Sequence, residues 1–318
     1  MTSPGTDASL TNPVDAALQN TPDLAGLEPI EKIKRRWPLA VAGVLTVLMI
    51  AALGRELFGS GLAGLQQTIP TNPLFYVAIA IFYLGPPTFD YLIYRRLWGI
   101  PLSGMAALHK KRIANEAVVG YSGEAYFYAW ARQRTQMVAA PFGAVKDVTI
   151  QSAIAGNVFT LLLILLLIPF MDMLPRDIVN PKTVAISAAV IIAMCLPFVL
   201  FSKRVFSLPR GRLVWIFSIH MLRLSVGTLS LAFAWHFAMP EVAVGTWLFL
   251  AAVRMLASRV PFLPNKEAIF ATATIWLIGS GDSLSELMAL VAALSLLAHI
   301  ALLGVFSVQS AAKRLGWI

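Results

Sequence analysis

Two glutamates occupy matching places in an otherwise apolar chain. Glu124 lies in Ser122-Gly-Glu-Ala-Tyr-Phe127, and Glu267 lies in Asn265-Lys-Glu-Ala-Ile-Phe270. Each motif opens on a residue suited to cap a helix, has Glu two positions on, and continues with Ala-x-Phe. A carboxylate in a first helical turn complements the exposed N–H groups and the positive end of the helix dipole. At membrane depth the same two carboxylates can exchange protons or hold a cationic partner. The residue pattern leaves both readings open.

Arginines accompany the motifs: Arg112 precedes Glu124, and Arg254 and Arg259 precede Glu267. An arginine near a span end can snorkel its apolar stem along the membrane boundary. Its planar fork also suits a phosphate. The anchor reading is preferred for Arg112, and the two stand level for Arg254. Arg223 lies in the middle of an apolar run. An unpaired central arginine costs about 2.5–3.5 kcal/mol on insertion scales. It is therefore expected to face the protein interior or water, opposite Asp90, Glu124 or Glu267. A salt bridge that only fixes helix packing is the alternative. Asp147, after Lys146, is read as a cap or an interfacial residue. Tyr121, Tyr126, Phe127, Tyr128 and Trp130 form an aromatic cluster. It suits core packing or the membrane boundary, with an acyl-chain groove as the sharper alternative.

Gly120-Tyr-Ser-Gly123 has the Gly-x-Ser-Gly form of an intramembrane serine protease, and His299 lies in a late apolar run. Glu124, Arg132 and Arg134 follow that serine where such a protease needs an apolar helix, so a hydrolase is the least favoured function. Cys195 is the single cysteine and the four histidines are scattered, which leaves no internal disulfide and no metal-ligand spacing. Phosphate-loop, dinucleotide and prenyl-diphosphate motifs are absent. Neither a cofactor nor a metal is expected.

The elements that position these residues are helices long enough to cross a membrane. Of 318 residues, 58% are hydrophobic and 13% charged, and mean hydropathy is +0.74. Soluble domains carry about 25% charged residues, so an ordinary soluble protein is excluded. A span needs about 20 mainly apolar residues. Candidates lie at 37–54, 73–94 (interrupted by Pro86-Pro87 and Asp90), 148–171, 183–202, 213–235 and 284–308, with shorter runs at 243–258 and 268–281. The runs are too long and unalternating for a membrane barrel. The fold class is an all-α polytopic membrane protein with six full spans plus two re-entrant hairpins, or eight spans. Residues 100–145 are too polar to span and form the first candidate hairpin; 243–281 form the second.

The net charge of +9 is unevenly placed. Residues 1–31 hold Asp7, Asp15, Asp23, Glu28 and Glu31, and every Lys and Arg falls after them. Residues 1–34 read as a disordered acidic tail without signal-peptide character, and 35–318 as the membrane domain. Basic residues lie between apolar runs, so topology explains them better than nucleic-acid binding. Lys and Arg favour cytoplasmic loops. Lys32, Lys34, Arg35 and Arg36, the basic stretch 95–146, Lys203 to Arg212, and Lys313 with Arg314 all agree with cytoplasmic termini. A bacterial cytoplasmic membrane is the expected location.

The two Glu motifs divide the chain into candidate half-repeats, 35–172 and 181–310. Three spans per half is odd, so the second half would be inverted and the two hairpins would enter from opposite sides. Inverted repeats with broken helices at the midplane are a transporter plan. Residues 112–130 with Gly123-Glu124, together with Pro261-Phe-Leu-Pro-Asn-Lys-Glu-Ala268, resemble the transmembrane flippase-like domain of lysylphosphatidylglycerol synthases and its stand-alone relatives. The resemblance covers roughly residues 35–310. It implies a helical domain that moves or presents phospholipid, here without the aminoacyltransferase part. The expectation is therefore a transporter-like protein, not an enzyme, that moves a phospholipid or lipid-linked anion between leaflets. Its partner would be an anionic lipid head group, with Glu124 and Glu267 meeting near the midplane. A homo-oligomer is left open. A non-catalytic scaffold that docks another envelope protein is the second reading.

Overall fold

The computed structural model describes residues 69–118, 121–134, 142–167, 181–200, 202–259 and 281–314, with Val44, Val47, Leu48 and Ala51. All belong to the unit 37–318. Every regular element among them is helical: α1 (Pro73–Trp98), α2 (Gly104–Ala117), α3 (Ser122–Arg134), α4 (Phe142–Leu167), α5 (Pro181–Leu200), α6 (Ser202–Val205), α7 (Arg210–Ala238), α8 (Val244–Arg259) and α9 (Gly281–Arg314). Four of these, α1, α4, α7 and the 286–306 portion of α9, are long and apolar enough to cross a membrane. Apart from Val44, Val47, Leu48 and Ala51, the candidate span at 37–54 lies outside the described residues, as does the run at 268–281 apart from Gly281.

Local chemistry sets the ends of α1. Asn72 Oδ1 accepts the Leu74 N–H at 3.0 Å, and Pro73 opens the helix, where its missing N–H is of no consequence. Arg95 and Arg96 fall in the last turn, favoured by the dipole there. Gly99 then closes the helix at φ 62°, a left-handed turn that glycine adopts freely. The helix runs through Pro86-Pro87, four residues beyond the end assigned from the apolar run at Tyr94.

α7 is the central helix and packs on α1, α4 and α8. One cluster joins Phe75, Ala78 and Ile79 to Leu231, Ala234, Trp235, Trp247, Leu250 and Leu287. A second joins Tyr91, Ile93 and Tyr94 to Phe127, Val148 and Ile216. The start of α1 thus meets the end of α7, so the two run antiparallel. α4 and α7 begin together, and their starts are tied by Asp147. This residue is fully buried, and its Oδ2 accepts the N–H groups of Ser207 and Leu208, both at 2.7 Å. Its role is to fix the α6–α7 connection, a third option beside cap and interface. Arg96 stacks over Trp215, 4.5 Å from the ring centroid, so the end of α1 joins the same face. These are the alternating directions that the loop charges require. Leu74, Val77, Ile81, Leu84 and Leu92 stay exposed on α1. Exposed leucines on a helix of this hydropathy are suited to lipid contact.

Candidate functional site

A helical hairpin brings charge into this bundle. After Gly99 the chain turns back, and α2 runs antiparallel beside α1. Leu108 packs with Tyr91 and Tyr94, Lys111 reaches Asp90, and Arg112 reaches the Tyr83 carbonyl. The 14 residues of α2 rise about 21 Å, which carries its end to the level of mid-α1. α3 then returns, with the Phe127 ring 4.4 Å from Tyr94 and 6.2 Å from Trp98 between centroids. Phe127 and Tyr126 are therefore core residues, whereas Tyr121 at the tip is 68% exposed.

The turn between α2 and α3 is tight. Tyr121 takes φ 68°. Ser122, expected to cap α3, instead donates its hydroxyl to the Ala114 carbonyl at 2.8 Å. Asn115 supplies the cap, its Oδ1 accepting the Gly123 N–H at 2.7 Å. A Cβ on Gly123 would lie 2.0 Å from the Lys111 carbonyl oxygen, so only glycine allows this approach.

Three ion pairs converge here. Lys111 Nζ lies 2.7 Å from Asp90 Oδ2 and 3.5 Å from Glu124 Oε1. Arg223 lies 3.5 Å from Asp90 Oδ1 and donates to Ser152 Oγ at 2.9 Å. Burial by itself would make Lys111 easier to deprotonate. Asp90, then Tyr94 and Glu124, outweigh it and hold the ammonium above the usual lysine range. Arg112 Nε donates to Glu116 at 2.7 Å, and Glu116 lies 3.1 Å from His299 Nε2. Burial opposes ionisation of Glu116, but the His299 hydrogen bond and Arg112 hold it below the usual carboxylate range.

Arg112 also answers a backbone need. Proline at 87 has no N–H, so the Tyr83 carbonyl lacks its helical donor. The Arg112 guanidinium supplies one and sits 4.4 Å over the Tyr83 ring. This corrects the boundary-anchor reading of Arg112: its fork is used inside the bundle.

These groups line a cavity of ≈ 330 Å³ between α1, α2, α3, α4 and α7, within the size range of small-ligand sites. Its walls carry Asp90, Glu116 and Glu124 against Lys111, Arg112 and Arg223. Glu124 Oε2 and Thr149 Oγ1 also border it, buried and without a hydrogen-bond partner among the described residues. Asp90 lies about 12 Å from the end of α1 and Arg223 about 20 Å from the start of α7, at 1.5 Å per residue.

Among the residues singled out from the sequence, Asp90, Arg112, Glu124 and Arg223 come together, and Ser122 and Gly123 build the turn. Arg254 is half-buried on α8 and is not among the residues lining the cavity. Arg259 ends α8, and its side chain lies outside the described residues, as do Asn265, Lys266 and Glu267. Of the second candidate hairpin at 243–281, α8 is described, and residues 260–280, which carry its Glu motif, lie outside the described residues. Ser122 and His299 make no Ser–His pair: His299 uses Ser295 and Glu116, and Ser122 uses Ala114. Sequence reasoning missed Lys111, Glu116 and Asn115, and also His220, a buried α7 residue that lines the cavity. Glu116 had a signal, four residues beyond Arg112 where helical pairs meet. Comparison with protein families, curated proteins and solved structures finds no match.

Proposed function

We propose that this chain moves a phospholipid or lipid-linked anion between the leaflets of a bacterial cytoplasmic membrane, with both termini inside. In this reading α2 and α3 form a re-entrant hairpin entering from the cytoplasmic face. The observation that carries it is the charged cavity. A hydrocarbon core is about 30 Å thick, and the cavity residues Asp90 and Arg223 sit about 12 and 20 Å, at 1.5 Å per residue, from the ends of α1 and α7, two helices long enough to cross it. Ionisable groups at that depth mark pathways or sites. Arg112, Arg223 and Lys111 offer contacts to a phosphate, and Asp90, Glu116 and Glu124 supply three counter-charges that balance them. The resemblance to the flippase-like domain of lysylphosphatidylglycerol synthases agrees with this reading.

The test is movement of head-group-labelled phosphatidylglycerol and phosphatidylcholine in proteoliposomes, read with an impermeant quencher. Wild type is expected to speed the anionic lipid more than the zwitterionic one. Arg223→Gln should slow it by about 10- to 100-fold, the worth of one charge-assisted contact. Asp90 keeps Lys111 in that variant, so the fold is expected to persist. Movement no faster than in protein-free vesicles, or an Arg223→Gln rate equal to wild type, would contradict the proposal.

A further inference from the structure

Thr149 breaks a habit of this protein. Thr88, Thr160, Ser218, Ser225 and Ser295 each donate a hydroxyl to the carbonyl four residues back, the usual way a helix absorbs such a group. Thr149, inside α4, does not. Its Oγ1 is buried without a hydrogen-bond partner among the described residues, and it borders the cavity. Glu124 Oε2 borders the same cavity in the same condition. A buried polar atom left unpaired is costly. The cations nearby are already engaged: Lys111 donates to Asp90, Arg112 to Glu116 and the Tyr83 carbonyl, and Arg223 to Ser152. Asp90, its side chain 9% exposed, spends Oδ2 on Lys111 and holds Oδ1 3.5 Å from Arg223, too far for a hydrogen bond. Three acids balance three bases in this lining. The unmet need is for a donor to its acceptors rather than for more negative charge.

We infer that Glu124 Oε2 and Thr149 Oγ1 form a subsite that reads a hydrogen-bond donor, a hydroxyl or a primary ammonium, carried by the ligand beside its phosphate. The phosphate half of this inference rests on the lipid-transport reading. A carboxylate oxygen only accepts, and a threonine hydroxyl both donates and accepts. A ligand hydroxyl can therefore donate to Glu124 and accept from Thr149, and an ammonium can donate to both. A glycerol or ethanolamine head group brings such a donor. The quaternary ammonium of choline has no N–H and leaves both atoms unpaired. A site built to bond a donor rejects the analogue that lacks one. Thr149 takes no part in the ion pairs of the cavity, so its hydroxyl can be removed without disturbing them.

Two measurements test this on the full chain. The first is binding of the soluble head groups glycerol 3-phosphate, phosphoethanolamine and phosphocholine in mild detergent, read as the rise of the unfolding temperature with their concentration. At least one of the first two should bind about 10- to 100-fold more tightly than phosphocholine, the effect of leaving a buried acceptor unpaired. Tight binding of glycerol 3-phosphate alone assigns the donor as a hydroxyl, and of phosphoethanolamine alone as an ammonium. Thr149→Val should lose most of the preference and Thr149→Ser should keep it. Without ligand, Thr149→Val should unfold at the wild-type temperature or above, because the hydroxyl gives the fold nothing. Equal affinity for the three, no binding of any, an intact preference in Thr149→Val, or lower stability of that variant would overturn the subsite, whether or not any lipid moves. The second is transbilayer movement of phosphatidylglycerol, phosphatidylethanolamine and phosphatidylcholine labelled on an acyl chain, which leaves the head group intact. The lipid whose head group binds should move about 10- to 100-fold faster than phosphatidylcholine, and Thr149→Val should bring it close to the phosphatidylcholine rate. One common rate above that of protein-free vesicles would overturn the subsite's part in transport while leaving transport standing. Movement of none would overturn the transport reading, and the binding result then decides the subsite by itself.

Discussion

Lys111→Met is expected to destabilise the protein by about 3–5 kcal/mol, the usual cost of removing one partner of a buried pair. The side chains of Lys111 and Asp90 are each 9% exposed, and Glu124 is 18% exposed. Removing the ammonium leaves Glu124 without its ion pair and Asp90 with Arg223 alone. Asp90→Asn should cost less. Lys111 would keep Glu124, and Arg223 would keep Ser152. The double variant, Lys111→Met with Asp90→Asn, should recover part of the loss, since groups sharing one network are not additive. Thermal unfolding in a mild detergent reads all three. Equal stability of Lys111→Met and wild type would show that the lysine is not the hub of this network.

Gly123→Ala should be nearly as damaging through packing alone. The added methyl would stand 2.0 Å from the Lys111 carbonyl oxygen, 2.7 Å from its carbon and 2.8 Å from Asn115 Oδ1. Two of those atoms are backbone, so relief requires α3 to move off α2. Overpacking of this kind costs about 1–3 kcal/mol or more. The shift would also break the Asn115 cap and separate Glu124 from Lys111. The expected result is a lower unfolding temperature and loss of lipid movement together. Gly104→Ala is the control. Its nearest neighbours, 3.0–3.1 Å away, are side-chain atoms of Ile100 and Trp130, which can give way, so its loss should be smaller. Equal behaviour of the two variants would contradict the close-approach account of Gly123.

How much of this was legible in the sequence varies by residue. The helical class and the runs of α1, α4, α7 and α9 follow from apolar length, and their alternating directions from where the lysines and arginines fall. Arg223 in the middle of a span required a counter-charge, but Asp90, Glu124 and Glu267 were equal candidates without tertiary contacts. Lys111 escaped notice because it sits in Lys110-Lys111-Arg112, a run that topology explains completely. Its role depends on α2 folding back along α1, which no local pattern encodes. Arg112 was legible in principle: Pro87 frees a carbonyl one turn earlier, and a nearby donor must fill it. Ser122 has the residue type of a cap, yet its hydroxyl reaches the preceding helix because the turn is so short. His299 drew attention through a protease pattern, while its contacts are with Glu116 and Ser295.

The proposed function requires the α2–α3 hairpin to lie inside the hydrocarbon, and Tyr121 at its exposed tip reports that directly. A fluorophore on Tyr121→Cys, in a Cys195→Ser background, can be quenched by lipids carrying nitroxides at set depths. The account predicts strongest quenching from labels near the middle of the acyl chains, about 15 Å from either face of the hydrocarbon. Strongest quenching from head-group labels, or none from any lipid, would place α2 and α3 outside the bilayer and contradict it.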